Sequence, residues 1–359
     1  MSINQVYHTW IKRIGELYPQ ERITRLRNLA WLITGIAQSR SVHLSKIANK
    51  IPGQATATSI VRRISRFLDN PAVRVRDWYE PIARQLIERV SQHQGEIRLV
   101  VDGSKVGFGH QLLMVSLAYR RRTLPLAWTW VKGQRGHSSS AAQLALLAYV
   151  RRLLPAESKV LLVGDSEFGA VAVLKQLDEW NWHYVLRQKS SHLVQLADQT
   201  TWQPFGSLIN HMGQRLWLGS ALLTQQWAYS TNLGAYWQAG EKEPWLLATN
   251  LPSLRLALAA YRRRMWIEEM FGDFKKHGFD LESTHLRHFR RLSRLTLAVA
   301  LLYVWLVAYG SYLIKTGQRY LVDRSDRRDL SLFRIGFDML ERRLARALSI
   351  SINFSLCFT

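Results

Sequence analysis

The sequence predicts a mixed α/β fold, preceded and followed by helical segments. Three observations carry that expectation. Short apolar runs alternate with helix-length segments from Glu96 to Lys189. Two of those runs stop at an aspartate. The stretch 190–244 then breaks into short alternating runs rich in Trp, Gln, Thr and Gly.

Residues 1–92 read as an all-α domain. TWIKRIGELY, ITRLRNLAWLITGIAQS, VHLSKIANKI, ATSIVRRISRFL and DWYEPIARQLIERV repeat apolar residues at three- and four-residue spacing. The third and fourth form a pair across a Pro-Gly turn, with Thr56 or Thr58 as N-cap of the second helix. That helix groups Arg62, Arg63 and Arg66 within about one turn. Two readings stay open: a helix-turn-helix reader of DNA, and an ordinary helical hairpin with a solvated basic face.

The character changes at Glu96. EIRLVVDGS is a buried strand that stops at a carboxylate, and Gly103, Gly107 and Gly109 imply a turn directly after it. HQLLMVSLAYRRRTLPLAWTWV reads as a hairpin turning near Arg121–Thr123. A helix over Ser139–Leu153 leads to a second buried strand, KVLLVGDSEFG, which also stops at an aspartate. A helix over Ala170–Trp180 and a strand WHYVLRQK complete a mixed sheet, whose strand ends are where open α/β sheets put their sites. QRLWLGSALL belongs to a β-rich insertion, WLLATN returns the chain to the main sheet, and one long helix runs from Pro252 to about Lys276. FDMLERRLARALS gives the tail a helix.

Charge narrows the partners. The chain of 359 residues carries 49 Lys and Arg against 26 Asp and Glu, a net charge of +23. A compact chain so unbalanced repels itself unless a polyanion neutralises it. The excess is spread along the chain, with 15 basic against 6 acidic residues in 1–90, which fits a long nucleic-acid contact surface. One cysteine, Cys357, excludes an intrachain disulfide and a cysteine zinc site. MSINQVYHTWIKRIGE lacks a signal-peptide apolar core, so a cytosolic protein is expected. LTLAVALLYVWLVAYGSYLI, 295–314, has the length of a membrane span and follows Arg290, Arg291 and Arg294. Gly310, Ser311 and three tyrosines dilute it, and the expectation is a helix buried within the protein.

The helix after Pro252 carries the sharpest chemical pattern. At about 100° per residue, Arg264, Glu268 and Lys275 fall at about 300°, 340° and 320° from Tyr261, one stripe about 60° wide. Glu269 falls about 80° off that reference. Glu268 is therefore the acid sharing a face with two cations and a phenol, although ion pairs along an exposed helix give the same stripe. Asp102 and Asp165, at two strand ends of one sheet, can meet such an acid at one point. Three converging carboxylates suit Mg²⁺ or Mn²⁺ rather than zinc. With a basic chain, the pattern implies metal-dependent phosphoryl transfer on nucleic acid.

YRRRMWIEEMFGDFKK matches all four positions of Y-x2-R-x3-E-x6-K at the correct spacing, and VVDGS and VGDSEFG look like two preceding acidic motifs. The chain thus resembles the bacterial DDE transposases of the insertion-sequence-4 type, whose core is ribonuclease-H-like, over about residues 40–315. The resemblance implies that Asp102, Asp165 and Glu268 are catalytic and hold two Mg²⁺ ions, with Mn²⁺ as substitute. It implies that Tyr261, Arg264 and Lys275 grip phosphates. Trp245 looks like the family tryptophan on which a flipped base stacks in a hairpin intermediate, although a core aromatic at a strand start fits it too. Glu167 is an acidic rival expected to support Asp165. His110, His137, His285 and His288 lack metal-ligand spacing.

The organisation implied is a helical DNA-binding domain 1–92, a catalytic core in two parts (93–190 and 245–317), a β-rich insertion 191–244, and a helical tail 318–359 for dimerisation. The function implied is cut-and-paste transposition by a homodimer on double-stranded DNA, acting on terminal inverted repeats and target DNA in the bacterial cytoplasm at the nucleoid. A metal-dependent structure-selective nuclease, or a non-catalytic DNA-binding protein derived from a transposase, are the alternatives.

Overall fold

The computed structural model describes residues 3–107, 109–133, 136 and 138–358. The chain divides into two compact units: 1–93 with 106–110 and 270–359, and 94–105 with 111–269.

The second unit is built on one ten-stranded sheet. Its strands are β1 (Ile97–Val106), β2 (His110–Tyr119), β3 (Arg122–Lys132), β4 (Val160–Gly164), β5 (His183–Arg187), β6 (Leu193–Gln195), β7 (Gln203–Pro204), β8 (Arg215–Leu223), β9 (Tyr229–Tyr236) and β10 (Trp245–Thr249). They lie in the order β3-β2-β1-β4-β5-β10-β9-β8-β6-β7. β1, β4 and β5 run parallel, and their near-continuous apolar sequences are buried, as a covered parallel sheet requires. The mixed α/β expectation is met.

One detail differs from the sequence reading. β1 continues past Asp102 to Val106, so the turn begins at Gly107 and not at Gly103. The strands of 191–244 lie in the same ten-stranded sheet: β10 pairs antiparallel with β5 on one edge and with β9 on the other, joining them to the main ladder. The β2–β3 turn is two residues long, with Arg120 and Arg121 both left-handed (φ 44° and 64°), the backbone that matches the twist of a tight hairpin.

Three helices and the start of a fourth belong to this unit. Helix α6 (Ser140–Leu153), capped by the Ser139 hydroxyl on Ala142 N–H, packs on β3 and on α7 (Val171–Glu179). Helix α8 (Leu254–Tyr261) lies against β4, β5 and β9. The expected continuous helix to Lys276 is interrupted: a 3-10 turn over Arg262–Arg264 separates α8 from α9 (Met265–Phe274).

The first unit is helical: α1 (Ile3–Leu17), α2 (Ile23–Ser39), α3 (Leu44–Ala48), α4 (Ala57–Asp69), α5 (Val75–Gln94), α10 (Phe289–Lys315) and α11 (Leu332–Ala345). Its core is α10, the one helix among the described residues long and apolar enough to cross a membrane; 89% of its most apolar window is buried within the protein. The arginines ahead of its apolar run hold α4 and the loop between α4 and α5. Arg294 donates to the carbonyls of Leu68 and Val73, and Arg291 to the Ser65 hydroxyl. Gly310 lets α10 press against α11: a Cβ there would stand 2.0 Å from the Leu332 carbonyl oxygen, and one on Gly336 2.0 Å from that of Leu306. The glycine that diluted the apolar run is thus a close helix crossing.

Thr56 caps α4, its hydroxyl accepting from Ser59 N–H. Ile60, Ile64, Phe67 and Leu68 are buried beneath Arg62, Arg63 and Arg66, all exposed.

Candidate active site

Backbone pairing alone brings two of the acids together. Val101 on β1 pairs with Gly164 on β4, in parallel register. The next residues are Asp102 and Asp165, so the two carboxylates leave neighbouring strands about 4.8 Å apart at the same level. Asp102 is 2% exposed, and its Oδ1 accepts from the N–H of Gly103 at 2.7 Å. Asp165, half-buried, caps the 3-10 turn Ser166–Phe168, accepting from Ser166 N–H at 2.5 Å.

The third acid arrives through Arg264. Its Nη2 lies 2.7 Å from Glu268 Oε1, and its Nη1 lies 3.5 Å from Asp102 Oδ2. One guanidinium therefore stands between two carboxylates. Burial pulls its pKa down, but Tyr261, Asp102, Glu268 and Asp165 outweigh that and hold it well above the usual arginine value. Glu269 is engaged elsewhere, with its Oε2 3.4 Å from Arg122 Nη2 and its carbonyl accepting from Nη1 of the same arginine. The adjacent glutamates thus answer to different arginines, and Glu268 is the one that shares its arginine with Asp102.

Tyr261 ends α8 and is 2% exposed. Its hydroxyl is buried and has no hydrogen-bond partner among the described residues. Burial pushes its pKa up to about 12, with Arg264 lowering it and Asp165 raising it. Trp245, the first residue of β10, is 9% exposed and meets Tyr261 edge-to-face at 5.2 Å. Both faces of the sequence reading for Trp245 start from this packed position; a base reaches the ring only where the packing opens.

Lys275 lies past the last residue of α9, in the helical unit, with Nζ 3.2 Å from Glu282 Oε1. Its place on a continuous helical stripe is lost, because the 3-10 turn shifts the phase and α9 ends at Phe274. His110 packs edge-to-face on Phe289, and both of its ring nitrogens are buried with no partner among the described residues. His285 packs edge-to-face on His43. His288 precedes α10, and His137 lies outside the described residues.

Oxygen donors on three carboxylates suit a hard divalent ion, and Asp102 and Glu268 already converge on a positive charge. In the arrangement present, that charge is a guanidinium, and no three His, Cys, Asp or Glu side chains among the described residues are grouped closely enough to hold one ion. The donor chemistry fits, and Arg264 lies against two of the three carboxylates.

Sequence reasoning did not find the polar residues that hold the acids' neighbours: Arg122 on Glu269, and Gln111, Ser138 and Gln143 around Glu167. Gly103 was the available signal, since a glycine directly after an in-strand aspartate marks something laid across the backbone.

A family model described as a transposase DDE domain matches residues 89–305. No curated protein matches. Among solved structures, the chain is similar at 7% identity to a piggyBac transposase synaptic complex with hairpin DNA, over 97% of this chain and 83% of that one, with a TM-score of 0.44. At 7% identity and a TM-score of 0.26, it is also similar to Marinitoga piezophila Argonaute in complex with 5′-OH guide RNA and target DNA, over 70% of this chain and 37% of that one. At these scores neither structure bears on what this chain does.

Proposed function

The chain belongs to the transposase DDE-domain family, and we propose that it is an insertion-sequence-4-type transposase that excises a DNA element and inserts it elsewhere. The observation carrying this reading is the shared guanidinium: Arg264 lies against both Asp102 and Glu268, and Asp165 leaves the strand paired with that of Asp102. The strand order β3-β2-β1-β4-β5, with β1, β4 and β5 parallel, supports a ribonuclease-H-like core.

Asp102, Asp165 and Glu268 would hold two Mg²⁺ ions, or Mn²⁺ in their place. Such a pair activates an attacking oxygen and stabilises a leaving one. Water attacks the phosphodiester at the element end, a P–O bond forms as the bond to the 3′ oxygen breaks, and a 3′-hydroxyl is released. That hydroxyl attacks the opposite strand to form a hairpin, water opens it, and the freed 3′-hydroxyl joins target DNA. Each step exchanges one P–O bond for another, so no covalent enzyme–DNA bond is required.

The remaining residues of the family pattern bind and orient the DNA. Tyr261 has a buried hydroxyl free to accept a new partner, and Arg264 can pass from the carboxylates to a phosphate. Lys275 adds a further cation, and Trp245 stacks the base displaced at the hairpin. Arg62, Arg63 and Arg66 on α4 form a basic face suited to phosphates of the terminal repeats. The working form is a homodimer on paired double-stranded ends, with 318–359 contributing to dimerisation, in the bacterial cytoplasm at the nucleoid.

The test is cleavage of DNA bearing the element's ends, with Mg²⁺. Nicked, hairpin and joined products are expected from the wild type, and none from Asp102→Ala. Full activity of Asp102→Ala would sink the reading. Cleavage without joined product would leave a nuclease, and binding without metal-dependent nicking a non-catalytic protein.

A further inference from the structure

Glu167 stands two residues beyond Asp165, inside the 3-10 turn that Asp165 caps. Hydrogen bonds converge on its carboxylate from separate segments. Gln111 on β2 donates its side-chain amide to Oε1 and Oε2, at 3.0 and 2.8 Å. Between β3 and α6, the N–H of Gly136 donates to Oε2 at 3.2 Å and that of Ser138 to Oε1 at 2.8 Å. Gln143 on α6 donates to the Glu167 carbonyl oxygen at 2.9 Å and to the Ser138 hydroxyl at 2.9 Å.

This junction also reaches the other aspartate. A Cβ on Gly103 would lie 2.2 Å from Gln111 Nε2 and 3.0 Å from Glu167 Oε2. The residue after Asp102 is glycine because the Gln111–Glu167 pair is laid across its backbone. One carboxylate therefore bears on the Asp102 strand, the Asp165 turn, β2 and the segment entering α6. Its two oxygens offer about four lone-pair directions, and four hydrogen bonds use them.

We propose that Glu167 is a positioning residue and not a third aspartate-like ligand. It locks the turn of Asp165 to the strand of Asp102 and fixes the separation at which the two carboxylates face a divalent ion. This rests on reading those aspartates as metal-holding. Glu167→Gln keeps the size of the side chain but turns an N–H₂ group toward N–H donors, so part of the junction cannot form. Loss of a partner that orients a ligand costs about 10–100-fold in metal affinity or activity.

The experiment uses the full chain as wild type, Glu167→Gln and Gln111→Ala. Amide hydrogen exchange without metal is expected to quicken in both variants at Gly136, over 138–143 and around Gly103, with α10 unchanged. Unaltered exchange overturns the clamp. Mn²⁺ binding, followed by the signal of free Mn²⁺, is expected to weaken about 10–100-fold in Glu167→Gln, with cleavage of end-bearing DNA recovering at high Mn²⁺. Wild-type Mn²⁺ affinity in the variant overturns the proposal. So does cleavage that no Mn²⁺ concentration restores, as for Asp165→Ala, since that marks Glu167 as a ligand itself. If the wild type neither binds Mn²⁺ nor cuts DNA, the functional reading falls, while the exchange result still decides whether Glu167 holds the segments together.

Discussion

Arg264 and Glu268 meet at 2.7 Å although the helix that was expected to join them is broken at Arg264 itself. The 3-10 turn tightens the chain and then α9 starts at Met265, so the pair spans the start of a helix rather than its middle. The same guanidinium reaches Asp102, which is 2% exposed.

Removing that guanidinium takes from the buried Asp102 carboxylate, and from Glu268, a cation that both contact. Arg264→Gln is expected to lower stability by roughly 3–5 kcal/mol, the range for breaking a largely buried pair. Divalent ions should raise the melting temperature of the variant more than that of the wild type, because they replace the lost charge. Equal shifts in the two proteins, read by calorimetry with and without Mn²⁺, would show that ion and arginine do not share a place.

The adjacent glutamates should separate cleanly. Glu268→Gln is expected to lower DNA cleavage about 100-fold or more, the scale on which loss of one stabilising group at reacting oxygens is felt. Glu269→Gln loses its ion pair with Arg122 and should stay within a few-fold of wild type. Rates on the same end-bearing DNA compare them directly, and a reversed order would transfer the assignment to Glu269.

Tyr261 gives a pH-dependent signature. Its folded pKa, near 12, lies above the ordinary value of 10, so between those values the unfolded chain has lost a proton that the folded chain keeps. Stability contributed by the neutral phenol is complete below pH 10 and is lost as pH rises toward 12. Tyr261→Phe should flatten that part of the alkaline decline. At neutral pH it should be neutral to stabilising by about 1 kcal/mol, since it removes a buried hydroxyl with no partner among the described residues. A large loss of stability at neutral pH in denaturant titrations would contradict this.

The crossing of α10 and α11 is tight enough to refuse a methyl group. Gly336→Ala places a Cβ 2.0 Å from the Leu306 carbonyl oxygen, and the expected cost is about 1–3 kcal/mol. A thermal melt of the intact chain measures it.

The basic face of α4 should act on affinity without choosing sequence. Each of Arg62→Ala, Arg63→Ala and Arg66→Ala is expected to reduce the slope of log affinity against log salt by about 1 if that arginine meets a phosphate. Unchanged slopes in binding titrations from low to moderate salt would assign that face to solvent.

The sequence made legible whatever local pattern encodes. Asp102 and Asp165 were visible because buried apolar runs lead into both, and Glu268 because its spacing from Tyr261 and Arg264 survives a one-turn change of helix type. The break at Arg262–Arg264 was hidden, since arginine is a good helix former and three in a row give no sign of a 3-10 turn. Lys275 was placed on a stripe that the break dissolved. β10 could be recognised as a strand, but pairing with both β5 and β9 depends on residues far away in the chain, which periodicity does not register. The closing of 1–93 upon 270–359 into one compact unit is similarly non-local. Glu167 was noticed as an acid and its engagement was not, because Gln111, Gly136 and Ser138 carry no pattern that announces a carboxylate between them.

The pairing of Val101 with Gly164 has a consequence for how such a centre tolerates change. The distance between neighbouring strands is a property of the peptide backbone and is nearly the same whatever apolar side chains fill the layers on either side. Val100, Val101, Leu162 and Val163 can therefore drift among apolar residues while the two aspartates stay level on neighbouring strands, their carboxylates still set by the Glu167 junction. No such repeat governs Glu268, which reaches its partners through a short turn of three arginines. Inherited variation should accumulate unevenly: freely under the two aspartates, and sparingly between Tyr261 and Glu268.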